Sequence, residues 1–206
     1  MAEKKPMGVS RRRGSELKEA IYNAAIQVLE HEGYEKVTFQ NVARKAKTTR
    51  SVLYRYWDDV FDLIFEAVRF DISKNPKWRG NVVDQLINTG SLRQDLIELL
   101  SYMRENFELY PKGFLAFVSF MQSQGKNVLE TTVDNVLSSN LIIMERLLAR
   151  AQERGEAREI IGQSAKFLPF QMSRYYILIE GQSMNDEQII ELVDEVLLPI
   201  YIKNSK

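Results

Sequence analysis

The chain has 206 residues, of which 45% are hydrophobic and 27% are charged, and this composition is that of a globular protein with a sizeable core. It has no cysteine, which excludes a disulfide framework and thiolate metal sites and leads us to expect the reducing cytoplasm as its location. No apolar run approaches the roughly 20 residues that a membrane-spanning helix needs, so we expect no membrane association.

The formal net charge is zero, yet the charges are unevenly distributed along the chain. Residues 1–57 contain 12 Lys and Arg against 6 Asp and Glu, so this first quarter is basic and the remainder is acidic. A basic end favours an anionic partner, and the phosphate backbone of nucleic acid is the first candidate. Chance clustering of charge would look the same, so the distribution needs a motif to support it.

Residues 1–15 are basic and show no apolar periodicity, which predicts a flexible arm that either reaches a DNA minor groove or only solubilises the chain. An amphipathic helix is predicted for residues 17–31, because apolar side chains recur there at helical spacing; it ends before Gly33, a typical helix C-cap. His31, the one histidine of the sequence, lies at this helix end. A positively charged imidazole there suits the helix dipole, and we expect no catalytic role for it.

The next segment predicts two short helices joined by a tight turn. Thr38 is a typical N-cap, and three apolar residues after it share one helical face: Val42, Ala43 and Ala46. A break at residues 47–48 follows, and Thr49 caps a very short helix whose apolar edge is formed by Leu53 and Trp57. This is the pattern of a helix-turn-helix, in which the first helix crosses the DNA backbone and the N-terminal part of the second enters the major groove.

Longer helices are predicted over the rest of the chain, and no hairpin pattern or repeat occurs. Asp58 and Asp59 begin a helix that reaches about Ser73, since acidic residues stabilise a helix N-terminus. Further helical patterns, separated by Pro or Gly, cover residues 92–109, 112–124, 128–153, 160–180 with a disturbance near Pro169, and 186–201. The fold class is therefore predicted to be all-α.

The helix-turn-helix segment resembles the DNA-binding signature of TetR-type regulators. That signature usually reads T-x-x-x-V/I-A-x-x-A-G-V-S-x-x-x-L-Y-x-Y/H-F, and this chain resembles it at Thr38 to Ala43, Ala46, Thr49 and Leu53 to Trp57. Three positions depart from it. Lys47 replaces the usual turn glycine, Thr48 replaces the usual Val, and Val60 stands where a phosphate-binding Lys is common. The resemblance covers residues 17–65. It implies a three-helix DNA-binding domain at 16–60 and a helical effector-binding and dimerisation domain at 61–206.

The resemblance also implies which residues contact double-stranded DNA: Thr38, Lys47, Thr49, Arg50, Ser51, Tyr54, Arg55 and Tyr56. Arg50 suits a bidentate contact with guanine, worth about 1–3 kcal/mol of base discrimination, whereas the tyrosines and Thr38 suit phosphates, which position the protein without specifying sequence. Two alternatives stay open. Tyr56 packs against the helix at 17–31, or Arg50 is an ordinary solvated side chain.

An aromatic and Met-rich stretch at residues 102–121 has two interpretations. Bulky apolar side chains at helical spacing usually form core, but aromatic and Met side chains also line apolar ligand cavities. The resemblance implies a small-molecule effector pocket in the helical body. The residues that we expect to line it are Phe107, Phe114, Phe117, Met121 and Met144.

The last of the two predicted helices within residues 160–201 carries more apolar residues than one buried face needs: Ile189, Ile190, Val193, Val196, Leu197 and Ile200. We expect these helices to form a homodimer as a four-helix bundle across a two-fold axis. Packing within a single chain is the alternative.

Enzymatic chemistry is not expected, and neither is a metal site or a cofactor, because the chain has one His and no Cys and lacks P-loop and Glu-x-x-His motifs. We expect instead a sequence-specific transcriptional regulator, a repressor that a small apolar or amphipathic effector releases from a palindromic operator. Two alternatives are an architectural DNA-binding protein on the same fold, without an effector, and a helical enzyme or adaptor with a vestigial DNA-binding head.

Overall fold

A computed structural model describes residues 14–125 and 134–203, and the all-α prediction is confirmed within these ranges. Ten α-helices are described: α1 (Ser15–His31), α2 (Phe39–Lys45), α3 (Arg50–Leu53), α4 (Val60–Lys74), α5 (Leu92–Phe107), α6 (Phe114–Ser123), α7 (Asp134–Glu153), α8 (Gln163–Tyr175), α9 (Asp186–Glu191) and α10 (Leu198–Tyr201). Single turns of 3₁₀-helix lie at Tyr34–Lys36 and Val82–Asp84, and π turns lie at Tyr176–Glu180 and Leu192–Leu197. The predicted arm at 1–15 and the start of the helix predicted from 128 fall mostly outside the described residues.

The chain packs as two units. The first contains residues 14–71 and Pro111–Phe117, and the second contains Ile72–Tyr110 and residues 118–203. The first packing unit therefore takes in most of α4 and a short later segment, whereas the functional division expected at residue 60 stays a prediction.

The first unit holds its short helices by tertiary packing. α2 has 7 residues and α3 has 4, lengths at which isolated helices are unstable in water. α1 packs against α2, and α2 packs against α3. Several side chains of these helices are fully buried: Ile21, Ala25, Val28, Val42 and Leu53. Burial of a Val-sized or larger side chain contributes about 1.5–3 kcal/mol. Ala43 and Ala46 are also buried, as their small size and position predict.

Helix starts in the first unit follow the predicted caps, with one exception. The Thr38 hydroxyl accepts the Asn41 N–H at 3.2 Å. Asp59 caps α4, because its Oδ1 accepts the N–H groups of Phe61 and Asp62 at 2.8 and 3.0 Å. Thr49 occupies the N-cap position of α3, but its hydroxyl makes no cap bond and meets the Ser51 hydroxyl at 2.9 Å instead.

The second unit is a helical body with one apolar core, to which α5, α7, α8 and the C-terminal helices contribute: Leu96, Leu99, Met144, Leu147, Phe170, Val193, Leu197 and Tyr201. A buried carboxylate secures the start of α5. Asp95 accepts the Thr89 N–H at 2.6 Å and the Thr89 hydroxyl at 2.7 Å, and Arg154 donates to its other oxygen at 3.3 Å. Arg93 donates twice to Asp194, at 2.6 and 2.8 Å, which ties α5 to the second π turn.

The disturbance predicted near Pro169 is wrong, because α8 continues through this residue. Proline lacks the N–H that would donate to the carbonyl four residues earlier, which belongs to Ala165. The Tyr201 hydroxyl donates to that carbonyl at 2.6 Å and replaces the missing partner. Burial raises the pKa of Tyr201, so its hydroxyl keeps the proton that this bond needs. The irregular turn comes later, at Tyr176–Glu180.

Candidate DNA-binding surface

The turn between α2 and α3 is built around Lys47, the residue that stands where a glycine is usual. Its φ is 55°, and it is the one non-glycine residue with positive φ among those described. Lys47 N–H donates to the Arg44 carbonyl at 3.2 Å, and Thr48 N–H donates to the Ala43 carbonyl at 2.9 Å. This pair of bonds ends a helix with a left-handed residue, a conformation that costs a residue with a Cβ about 1–2 kcal/mol. The turn therefore keeps the glycine geometry with a lysine in it, and the side chain is exposed.

α3 has one buried side and one exposed side. Leu53 and, just beyond the helix, Trp57 are buried at 0% and 3% exposure. The predicted DNA-contacting residues around them are exposed: Arg50, Ser51, Tyr54, Arg55 and Tyr56. Polar side chains at the start of a helix whose other side is fixed in a core are what reading a major groove requires.

The cations of this surface differ in how far they are already engaged. Lys45 is bound to Glu32, with 2.9 Å between its Nζ and the carboxylate. Lys47, Arg50 and Arg55 form no ion pair with any residue of the described ranges. The last three therefore present unpaired positive charge, which is the requirement for binding phosphate.

The two tyrosines that follow Leu53 are held differently. Tyr54 is 56% exposed, and its ring meets the Phe39 ring edge-on at 4.7 Å. Tyr56 is 41% exposed, and the Lys18 ammonium from α1 lies 5.4 Å from its ring centre. Tyr56 thus has a contact with α1, which the packing alternative predicts, and still has an exposed part that DNA can reach.

A glutamate that the sequence pattern does not single out joins three elements of the first unit. Glu66 in α4 accepts two hydrogen bonds on its Oε2, from the Tyr22 hydroxyl of α1 at 2.8 Å and from the Trp57 indole N–H at 2.9 Å. The Lys18 ammonium lies 3.8 Å from the same oxygen. Partial burial opposes ionisation of Glu66, but the two hydrogen bonds and the positive charge of Lys18 outweigh it and hold the pKa of Glu66 below its usual value.

The five residues predicted to line an effector pocket are divided between the two packing units, and their role stays a prediction. Phe114 and Phe117 are buried in the first unit, where their ring centres lie 6.4 and 6.1 Å from those of Phe65 and Phe61. The other three belong to the second unit. Met144 is in its core, whereas Phe107 and Met121 are half-buried.

Two cavities are described in the second unit, and none of these five residues lines either one. The first, of about 260 Å³, is lined mainly by polar residues of α7, α8 and the loop between them: Glu145, Gln152, Glu159 and Lys166 with Leu148, Ala149 and Ile161. The second, of about 250 Å³, lies between α7 and the segment before α5 and has an apolar part formed by Ile87, Ile143 and Leu147.

The second cavity also has two arginines in its wall. Arg146 donates to the Val83 carbonyl at 2.9 Å, and Arg150 donates through Nη2 to the Ile87 carbonyl. The Nε of Arg150 is buried and has no hydrogen-bond partner among the described residues. Asp84 lies in the same wall, where its carboxylate accepts the Asn81 amide at 3.3 Å. Apolar surface beside polar donors makes this cavity amphipathic.

Other kinds of site are not found in the described ranges. No group of three or more acidic or His side chains there has an arrangement that could hold a metal ion. Among the described helices, none is both long and apolar enough to cross a membrane.

Comparisons with known proteins match both parts of the chain. Residues 21–67 match the family model described as "Bacterial regulatory proteins, tetR family", and residues 86–196 match "Tetracyclin repressor-like, C-terminal domain". A DNA-binding transcriptional repressor TetR of Mycobacteroides abscessus is 27% identical over 192 residues, which is 90% of this chain and 94% of that protein. The HTH-type transcriptional regulator AqdR of Rhodococcus erythropolis is 26% identical over 70% of this chain and 65% of its own length.

A solved structure shows the same fold. SmeT, the repressor of the Stenotrophomonas maltophilia multidrug efflux pump SmeDEF, superposes with a TM-score of 0.53 at 20% identity, over 91% of each chain. The matched family models and relatives are transcriptional regulators, so the protein is a DNA-binding regulator and not an enzyme. The match to both family models, one of which covers more than half of the chain, shows that it belongs to the TetR family of bacterial regulatory proteins.

Proposed function

We propose that the protein is a repressor that binds a pseudo-palindromic operator as a homodimer and leaves it when a small apolar or amphipathic effector binds. The observation that carries the DNA-binding part is the exposed side of α3. Three exposed cations there have no ion pair with any described residue, and the other side of the helix is fixed in the core. The assignment as a repressor follows the relative from Mycobacteroides abscessus. A regulator of this kind works where the chromosome is, so we place it in the cytoplasm.

The residues of this surface take different roles in the proposal. Arg50 is the first residue of α3 and suits a bidentate contact with guanine. Lys47, Tyr54 and Tyr56 suit phosphates on either side of the groove. The oxygen of Thr38 already accepts a backbone N–H, and its hydroxyl proton is the part that can donate to a phosphate.

The surface that we propose for dimerisation lies on α8, α9 and the π turns that follow them. Several large apolar side chains are exposed there: Tyr175, Leu178, Ile179, Ile190 and Val196. Leu178 and Ile179 are 55% and 70% exposed, which favours a partner surface over solvent. Ile189, Val193 and Leu197 are buried within the single chain, so packing inside one chain accounts for three of the six apolar residues counted in the last predicted helix.

We propose that the effector binds in the second unit. The amphipathic cavity beside α7 suits a small molecule that combines apolar surface with a group that accepts hydrogen bonds from Arg146 or Arg150. α4 is one continuous helix from Val60 to Lys74. It begins shortly after α3, and its last three residues belong to the second unit. A 100-fold loss of operator affinity needs about 2.7 kcal/mol of coupling, and operator must then weaken effector binding by the same factor.

The experiment that tests the proposal is selection of bound duplexes from a random DNA library, at low salt and again at physiological salt. We expect two half-sites in inverted orientation, with centres about 10 base pairs apart or a multiple of this, because two recognition helices must enter successive major grooves. A small-molecule screen for release from the selected operator then separates the repressor from the architectural alternative. Asymmetric selected sites, or affinity that does not fall as salt rises, would contradict the proposal.

A further inference from the structure

The contacts of Glu66 connect α4 to the segment that carries the proposed DNA-contacting residues. Its Oε2 accepts hydrogen bonds from Tyr22 of α1 and Trp57 at the end of the recognition segment, at 2.8 and 2.9 Å. Tyr22 is 44 residues and Trp57 is 9 residues from Glu66 in sequence. One carboxylate oxygen therefore joins α4 both to α1 and to the segment that follows α3.

The groups that Glu66 holds contact the exposed tyrosine next to them. The rings of Tyr56 and Trp57 lie 5.4 Å apart, and the Lys18 ammonium lies 5.4 Å from the first ring centre and 5.5 Å from the second. The same ammonium is 3.8 Å from Glu66. Position and charge at this end of the surface are thus set jointly by the carboxylate, the indole and the ammonium.

We propose that Glu66 is a positioning residue for operator binding: through its hydrogen bonds it fixes Trp57, and through Trp57 it fixes Tyr56, relative to the axis of α4. The inference rests on the proposed function, since it assigns Tyr56 to a phosphate. The carboxylate itself does not touch DNA in this account. Its two hydrogen bonds come from two different parts of the first unit, α1 and the segment after α3. A rotation or sliding of α4 that lengthens either bond therefore loosens the aromatic group that presents Tyr56.

A purely electrostatic role for Glu66 predicts the opposite effect of its removal. Loss of a negative charge beside a phosphate-binding surface strengthens DNA binding. Loss of a positioning group weakens it. The sign of the change in affinity therefore distinguishes the two roles.

The test compares Glu66→Ala with Glu66→Gln. The amide oxygen of Gln can accept both hydrogen bonds without the charge, so it keeps the positioning and loses only the attraction to Lys18. We expect Glu66→Ala to bind operator about 10-fold more weakly, equal to ~1.4 kcal/mol, with unchanged base preference because phosphate contacts carry no sequence information. Glu66→Gln should stay within about 2-fold of the wild type, since an exposed ion pair contributes little. Asp71→Ala is the matched control, because it removes an exposed carboxylate from the same helix.

A second readout does not depend on DNA. The chain has two tryptophans, so Trp78→Phe leaves Trp57 as the only indole fluorophore. In that background the emission of Trp57 should change in Glu66→Ala and stay close to the parent in Glu66→Gln. Tyr22→Phe, which removes one donor and no carbon atom, should give an intermediate loss of affinity. Tyr22→Phe also tests the positioning role if Glu66→Ala fails to fold.

The outcomes separate this inference from the proposed function. If the wild type binds no duplex, the proposed function fails, and the fluorescence comparison still decides whether Glu66 holds Trp57. If folded Glu66→Ala binds operator as tightly as the wild type or more tightly, or if Glu66→Gln loses as much affinity as Glu66→Ala, Glu66 is not a positioning residue.

Discussion

At the scale of single residues, Lys47 shows how a departure from a family pattern is accommodated. The turn keeps the left-handed backbone at φ 55° that a glycine adopts without strain, and it gains an exposed cation beside α3. We infer that Lys47 lowers the stability of the fold through its strained backbone and strengthens DNA binding through contact with a phosphate.

The substitution Lys47→Gly tests this exchange. It should raise the free energy of unfolding by about 0.5–1 kcal/mol, because relief of backbone strain exceeds the added chain entropy of glycine in the unfolded state. It should also weaken binding to all duplexes alike and lower the salt dependence by about one phosphate contact. Lys47→Ala is the matched control, since it loses the charge and keeps the strain. Denaturant unfolding and salt-dependent binding measure the two effects, and equal stability of the Gly and Ala variants would refute the strain argument.

Contacts between residues close in sequence can be predicted from the sequence, whereas contacts between distant residues cannot. The N-caps at Thr38 and Asp59 and the buried stripe of α2 follow from spacing within one or two turns, so pattern reasoning finds them. Glu66 is different. Its partner Tyr22 is 44 residues away, and no local period indicates that these two side chains meet. Apolar periodicity likewise cannot distinguish core from pocket. Phe114 and Phe117 lie buried against α4, and their role in an effector pocket stays a prediction.

At the scale of elements, α8 depends on a residue from the far end of the chain. Pro169 leaves the Ala165 carbonyl without its helical donor, and the Tyr201 hydroxyl takes that place at 2.6 Å. The local sequence around the proline therefore predicts a disturbance of the helix. It cannot predict the compensation, because the hydroxyl that supplies it is 36 residues from the carbonyl.

This compensation predicts a non-additive pair of substitutions. Tyr201→Phe should cost about 1 kcal/mol of unfolding free energy, because it leaves the partly buried Ala165 carbonyl without this partner. In a Pro169→Ala background the restored N–H can donate to the same carbonyl, so the same substitution should cost clearly less there. A double-mutant cycle by denaturant unfolding measures the difference. Equal costs in the two backgrounds would show that the hydroxyl does not substitute for the missing donor.

At the scale of the whole molecule, the operator proposal needs two copies of the chain. The exposed apolar pair Leu178 and Ile179 is the sharpest place to test the dimer, because both side chains are already in solvent in a single chain. Val193, by contrast, is 0% exposed and belongs to the core, so a charge there would disrupt the fold and report nothing about assembly.

The double substitution Leu178→Glu/Ile179→Glu should give a folded monomer at micromolar concentration and lower operator affinity, since each monomer then binds one half-site alone. Ile160→Glu is the control, because this residue is 86% exposed but lies in the loop before α8. Light scattering gives the assembly state, and circular dichroism shows whether the fold is kept. A folded double variant that is still dimeric would move the interface elsewhere.

The central claim is that α3 reads DNA sequence, and substitution of Arg50 tests it most directly. Binding of Arg50→Ala should be measured across all single-base variants of the selected operator. We expect discrimination to be lost at one position in each half-site, by about 1–3 kcal/mol, while preferences at the other positions remain. Arg158→Ala, which removes an exposed arginine from the second unit, should change none of them. A uniform loss at every position, or an unchanged base preference in folded Arg50→Ala, would contradict the account.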